Sequence, residues 1–269
     1  MLQKKYRLCL QFCLLNLKNP LRKVFGFLGI YSIVIAVVTM MNRSNGCSMM
    51  DSLVLLNGGY NTNSINLKDV LVSLLPYAVI LYVCSAHLEQ MLAEKGQFVR
   101  IRLKKLKYFY VSNLMTNVLL SCIAVILFDF SKYIVCLGIY HNENGESAYC
   151  VSNVLSNLTC DLVFCQSLLY HIIGIVAIIC IQYMIIQLTQ NNLFAMLLGI
   201  FVVFINLNVQ DGLLDFLCIG NIVMIGKMDI IAKTGCGIKD IFCKNAIYCL
   251  ITLILVVKGN KVGKRTKVW

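Results

Sequence analysis

Five stretches of this chain, Val24–Met41, Val70–His87, Tyr108–Phe128, Cys165–Leu188 and Leu193–Val209, run for 17 residues or more without Lys, Arg, Asp or Glu. A bilayer core of about 30 Å takes roughly 20 apolar residues of helix. Inside it the backbone must satisfy its own hydrogen bonds, which a helix does. A sixth stretch, Ile241–Val257, includes Lys244, whose ammonium must reach back to the interface. Hydrophobic residues make up 59% of the chain and charged ones 13%, whereas a soluble domain carries about 25% charged residues. These features predict an all-α polytopic membrane protein, a single membrane domain over residues 1–269 with six transmembrane helices.

The segments between the spans are distinct. Met1–Lys23 carries six basic residues and no acidic one, and Leu8, Phe12 and Leu15 share a helical face ahead of Pro20. It reads as a retained, interfacial amphipathic helix, because no small-residue cleavage site follows the first apolar run. Asn42–Asp69 is polar, with a turn signal at Asn57-Gly58-Gly59, and Asp129–Phe164 is a long polar connection. Pro76 falls inside the second span, where a membrane helix tolerates it. Gln210–Lys244 is mixed. Its apolar part, Leu213–Ile231, is interrupted by Asp215, Gly220, Gly226, Lys227 and Asp229, so a re-entrant or interfacial pair of short helices fits better than a seventh span.

Leu88–Tyr110 separates the second and third spans and holds Lys95, Arg100, Arg102, Lys104, Lys105 and Lys107. Val99, Leu103, Leu106 and Tyr110 form one helical stripe and Arg100, Lys104 and Lys107 a second beside it, with Phe98 and Ile101 off the apolar stripe. Six spans put this segment, both termini and the Thr189–Asn192 turn on one side. That side holds 17 basic and two acidic residues, and the other seven basic and ten acidic. Short basic segments stay in the cytoplasm, so both termini are expected there, with the chain in the plasma membrane. The one-sided net charge of +12 is thereby accounted for without nucleic acid. The basic segment is then either a solvated loop that fixes topology or a docking element for a cytosolic partner.

Chemistry within the chain has little material. Gly259–Thr266 resembles a phosphate-binding loop but is one residue short, puts Arg265 in the hydroxyl position and ends three residues before the last residue. Lys258–Trp269 therefore reads as a basic cytoplasmic tail, and no catalytic, cofactor-binding or metal site is expected. The three histidines lie apart in sequence, and no His-Glu-x-x-His or Cys-x-x-Cys motif is present. Of the 14 cysteines, Cys47, Cys136, Cys150, Cys160, Cys218, Cys236 and Cys243 map outside, with Cys165 at the boundary, so up to four bridges of open connectivity are conceivable.

Polar residues inside the spans remain. Asn113, Asn117 and Ser121 repeat at helical spacing with Thr116 alongside; His171, Gln182 and Asn206 lie in the fourth and fifth spans. Such groups face the bundle interior or another subunit, where they either bridge helices or line a translocation path. The five firmest spans, as bounded above, contain no charged residue, which argues against an ion-coupled carrier with an intramembrane carboxylate.

The layout resembles the membrane (permease) subunit of type-2 ABC exporters. That family has six spans, cytoplasmic termini, an amphipathic N-terminal helix, a cytoplasmic coupling helix between spans two and three, and partly inserted outer helices between spans five and six. Met1–Lys23, Leu88–Lys107 and Gln210–Lys244 fill those places in order, and Glu89, Glu94, Arg100 and Arg102 are similar to the family's acidic start and basic run into span three. The 129–164 connection departs from it in length.

The resemblance implies a subunit that pairs as a homodimer or heterodimer with a second permease and works with a cytosolic ABC ATPase carrying the ATP and Mg. Energy would enter through Glu89, Glu94, Arg100, Arg102, Leu103, Lys104, Lys105, Leu106 and Lys107. The cargo would be a peptide or lipid-like compound, with self-protection against a bacteriocin as one role. The competing expectation is a non-transporting membrane interaction protein, such as an immunity or sensor subunit.

Overall fold

The structure, a computed structural model, describes residues 2–58, 67–91, 106–141, 160–189 and 191–208, with the isolated positions 246, 247, 250 and 254. Its helices are α1 (Leu2–Ser44), α2 (Met49–Leu56), α3 (Leu67–Gln90), α4 (Leu106–Tyr140), α5 (Cys160–Thr189) and α6 (Asn192–Asn208). Four contain stretches long and apolar enough to cross a membrane: Cys13–Ser44, Val70–Gln90, Phe109–Tyr140 and Cys160–Ile186. The described residues are thus all-helical between short turns, and the chain is a multi-pass membrane protein. α6, of 17 residues, coincides with the expected fifth span. Apart from the isolated positions, the expected sixth span, the 210–244 segment and the basic tail lie outside the described residues.

Several expected boundaries need correction. α1 is one continuous helix through Pro20, so the described residues show no break between an interfacial helix and the first span. Pro20 costs one backbone bond, which a packed membrane helix tolerates. The helix of the third span does not stop at Phe128: α4 continues through Asp129 and Lys132 to Tyr140. The fourth begins at Cys160 rather than Cys165. Each of the stretches Cys13–Ser44 and Phe109–Tyr140 has 32 residues, a length of about 48 Å at 1.5 Å per residue. Both exceed the hydrocarbon thickness.

Asn42–Asp69 is not merely a polar loop. Ser48 starts α2 with a capping box, its hydroxyl accepting from the Asp51 backbone while the Asp51 carboxylate accepts from the Ser48 N–H at 2.9 Å. With its exposed donors satisfied, the helix can bury Met49, Met50, Leu53, Val54 and Leu56. Ser52 meets Tyr140 at 2.7 Å, near the end of α4, and Asn57 meets Lys132 two turns deeper. Lys68 then bonds Asn42, back at the end of α1. The chain therefore dips into the bundle at α2 and returns.

Side-chain bonds fix the helix directions. Cys13 contacts Ser112, Ser32 contacts Ser131 and Arg43 bonds the Ile139 carbonyl, so α1 and α4 run parallel with a nearly constant offset. α3 runs against both: the Tyr31 hydroxyl donates to the Val72 carbonyl at 3.1 Å, and Cys84 contacts the Asn117 carbonyl. α5 also opposes α4, through His171 with Asp129 and Tyr183 with the Tyr110 carbonyl. The core between these helices includes Tyr31, Ile35, Ile80, Leu81, Leu120, Phe128 and Ile178, with Tyr31 edge-on to Phe128 at 5.1 Å. α6 joins through Gly199, where an added Cβ would meet the Leu81 methyls at 3.2 Å.

Candidate functional site

Extending α4 past Phe128 carries two ionisable residues into the bundle. Asp129 and Lys132 sit at i, i+3 on the inward face of α4, 3% and 1% exposed, with Lys132 Nζ 2.8 Å from Asp129 Oδ1. The other carboxylate oxygen, Oδ2, lies 2.7 Å from Nδ1 of His171 on α5, itself 1% exposed. Lys132 also donates to Asn57 Oδ1 at 2.8 Å, and the Asn57 amide nitrogen donates to the Leu53 carbonyl, which closes the end of α2. Tyr77 of α3 stands edge-on to the imidazole at 5.8 Å. Four helices thus gather around one carboxylate, α4 and α5 at its oxygens, the end of α2 through Lys132 and α3 through the imidazole.

The arrangement follows from the cost of burying charge. An unpaired ion in a low-dielectric interior costs several kcal/mol, whereas a close pair whose remaining positions are hydrogen-bonded recovers most of it. Asp129 meets both conditions, with one partner on each oxygen. A carboxylate only accepts, so His171 Nδ1 carries the hydrogen. In a neutral imidazole the lone pair is then on Nε2, which is buried and has no hydrogen-bond partner among the described residues. The expected third span, Tyr108–Phe128, holds no charged residue, but its helix carries a buried carboxylate and ammonium just beyond it. Ion-coupled chemistry can no longer be set aside on that ground.

The span residues expected from sequence are brought to two levels. His171 belongs to the charged cluster. Asn113, Thr116, Asn117 and Ser121 are all buried on α4, but Asn117 is 12 residues from Asp129, about 18 Å along the helix. Thr116 donates back to the Ser112 carbonyl and Ser121 to the Val118 carbonyl, so both serve their own helix. Asn113 and Asn117 each leave a buried Oδ1 without a partner among the described residues. Gln182 is a helix bridge, donating to the Leu81 carbonyl at 3.1 Å. Asn206 lies on the last turns of α6, without a described side chain.

Of the basic connection, Glu89 is exposed at the end of α3, and Leu106 and Lys107 begin α4. Glu94, Arg100, Arg102, Leu103, Lys104 and Lys105 lie outside the described residues. The thiols of Cys136, Cys160 and Cys165 are unbridged, and Cys136 lies buried in α4 rather than in an outer loop.

Sequence reading missed Asp129, Lys132, Asn57 and α2. Two signals were present. Asp129 and Lys132 are spaced to pair on one helix turn, with apolar residues continuing on both sides. Ser48-x-x-Asp51 before an apolar run has the form of a helix start.

No curated protein and no solved structure matches the chain. A family described as protein of unknown function (DUF2705) matches residues 24–260, a range that takes in Asn57, Asp129, Lys132 and His171. With most of its length matched, the chain belongs to the DUF2705 family.

Proposed function

We propose that this protein is the membrane permease subunit of an ATP-driven exporter, moving a peptide or lipid-like compound with a separate cytosolic ATPase. The observation that carries the reading is the gathering of basic segments at one end of the bundle. Cys13 beside Ser112, and Ser85 bonded to the Asn192 carbonyl, bring the start of α1, the α3–α4 connection and the α5–α6 turn to that end. Lys18, Arg22 and Lys23 are exposed on the first half of α1, and the end of α3 and the start of α4, between which the sequence carries most of its 88–107 basic residues, lie at the same end.

Positive segments favour the cytoplasmic side, so this end faces the ATPase, with six spans in all and both termini inside. The 88–107 segment is the coupling element: its apolar stripe seats on the partner, and its charges set approach and register. Asn113, Thr116, Asn117 and Gln182 lie between that end and the charged cluster, along the route a cargo would take between paired subunits.

Purification of the tagged protein from its native membranes tests the reading. A co-purifying protein with a phosphate-binding loop and an ABC signature is expected. Leu103→Asp and Leu106→Asp should release it at equal membrane abundance, because each buries an unpaired carboxylate at the contact. Lys104→Gln and Lys105→Gln should weaken the association modestly and reduce its salt dependence. Undiminished recovery with both Leu→Asp variants would remove the segment from coupling. A properly assembled protein with no ATPase would favour the non-transporting interaction protein instead.

A further inference from the structure

We propose that α3 is a hinged helix whose latch is on α1. Pro76 leaves the Val72 carbonyl without a donor from its own helix. The Tyr31 hydroxyl takes that donor's place, and the bond fixes the angle between Leu67–Leu75 and Tyr77–Gln90. Pro76 lies inside α3 and has no backbone N–H. In an α-helix the acceptor it fails to serve is four residues back, the carbonyl of Val72. A proline ring also pushes that carbonyl aside, which is why helices kink at such a position. The same carbonyl receives the Tyr31 hydroxyl at 3.1 Å, between residues 0% and 4% exposed.

The repair comes from another helix rather than from α3 itself. Ser73, the next residue in the chain, gives its hydroxyl hydrogen to the Val70 carbonyl at 3.0 Å. Val72 also lies within Val70–Gln90, a stretch long and apolar enough to cross a membrane, where lipid offers no hydrogen-bond donor. Tyr31 is held in place to supply one, its ring set edge-on against Phe128 of α4 at 5.1 Å.

The two parts of α3 on either side of Pro76 have different partners. Leu67–Leu75 is bonded to α1, by Lys68 to Asn42 at 3.1 Å and by Val72 to Tyr31. Tyr77–Gln90 is bonded to α4, α5 and α6. Cys84 contacts the Asn117 carbonyl, Gln182 donates to the Leu81 carbonyl, and Ser85 donates to the Asn192 carbonyl. Tyr77, directly after the proline, stands edge-on to His171. α1 touches this second part through a ring contact, Phe27 with Tyr82 at 6.3 Å. A helix missing one rung bends there at lower cost than elsewhere. With the Tyr31–Val72 bond broken, the first part turns about Pro76 while the rest stays seated.

The experiment uses the full-length protein in lipid nanodiscs, with ¹³C at the valine carbonyls and ¹⁵N at serine. Solid-state NMR then selects the carbonyls of Val-Ser pairs, at 72–73, 111–112 and 151–152. Ser73→Ala assigns the first by deleting it. Tyr31→Phe should move the Val72 carbonyl resonance. It should also quicken backbone hydrogen exchange over residues 67–80 by at least about tenfold, with 84–90 unchanged. Pro76→Ala restores the missing N–H, so adding Tyr31→Phe to it should alter that exchange by less than about twofold. A Val72 resonance that ignores Tyr31→Phe overturns the proposal, as does equal quickening with and without Pro76→Ala. Quickening spread evenly as far as residue 90 overturns it too, since that marks a loosened bundle rather than a hinge. Where Pro76→Ala fails to assemble, Tyr31→Phe decides alone. A moved resonance with quickening confined to 67–80 supports the hinge, and the absence of either overturns it.

Discussion

Replacing Asp129 by asparagine is the most informative single perturbation of the bundle. The change keeps size and one acceptor oxygen, so Lys132 can keep a hydrogen-bond partner while His171 answers the new amide NH2 through the other tautomer, with Nδ1 accepting. What it removes is charge, leaving the Lys132 ammonium, 1% exposed and 2.8 Å from its former counter-ion, without compensation. Breaking one side of a buried pair costs about 3–5 kcal/mol, because the surviving ion stays desolvated. Lys132→Met should cost less, about 1–3 kcal/mol, since Asp129 keeps a charge-assisted bond to His171. The double variant Asp129→Asn/Lys132→Met removes both charges and should return to within about 1 kcal/mol of the starting protein, as apolar replacement of a buried pair often does. Reversible unfolding in mixed detergent micelles, measured on all four proteins, closes the cycle. The single costs should exceed the double by at least about 2 kcal/mol, the scale of coupling for residues in direct contact. A cost below about 1 kcal/mol for Asp129→Asn, or singles that simply add, would refute the pairing and with it the buried cluster.

Other contacts give further expected outcomes. Ser48→Ala should cost α2 about 1 kcal/mol through loss of its cap, read as faster exchange over residues 49–56 with the rest of the bundle unchanged. Gly199→Val should cost about 1–3 kcal/mol by overpacking against Leu81, and Leu81→Ala in the same chain should recover part of it. Asn113→Leu and Asn117→Leu should each cost no more than about 1 kcal/mol, because their buried Oδ1 atoms have no partner among the described residues to lose; a shift in cargo selectivity with assembly intact would make them path residues. A cysteine placed at Lys104 or Lys264 on a cysteine-depleted background should resist an impermeant thiol reagent in intact cells, and external labelling there would overturn the orientation.

The extent of apolar helix was legible because span length and absence of charge are local properties, and Val70–His87 differs from Val70–Gln90 only at its end. Asp129 shows why a purely local reading stops. An acidic residue at the end of an apolar run marks the interface unless something buried neutralises it. Here the counter-charge is Lys132, one turn on, and the second partner that lets the pair stay buried is His171, 42 positions away on another helix and joined by no local pattern. Pro20 misled in the opposite sense: proline ends most helices in water, but α1 carries it inside a packed bundle. The polarity of Asn42–Asp69 hid α2, because Ser48, Asp51, Ser52 and Asn57 spend their hydrogen bonds on caps and inward partners rather than on water.

The parallel pairing of α1 with α4 has a consequence for how the protein is made. Ser32 waits for Ser131, and Cys13 for Ser112, each 99 residues further along the chain. At synthesis rates of about 5–20 residues per second, α1 spends roughly 5–20 s in the bilayer before its partner emerges. Through that interval Tyr31 and Ser32 have only the lipid, α2 and α3 to meet. Because the Tyr31 hydroxyl is answered by Val72 of α3, the hairpin of α1 and α3 is a self-sufficient first stage. A chaperone or insertase that shields half-built bundles would act on this chain between the emergence of Gln90 and that of Tyr140.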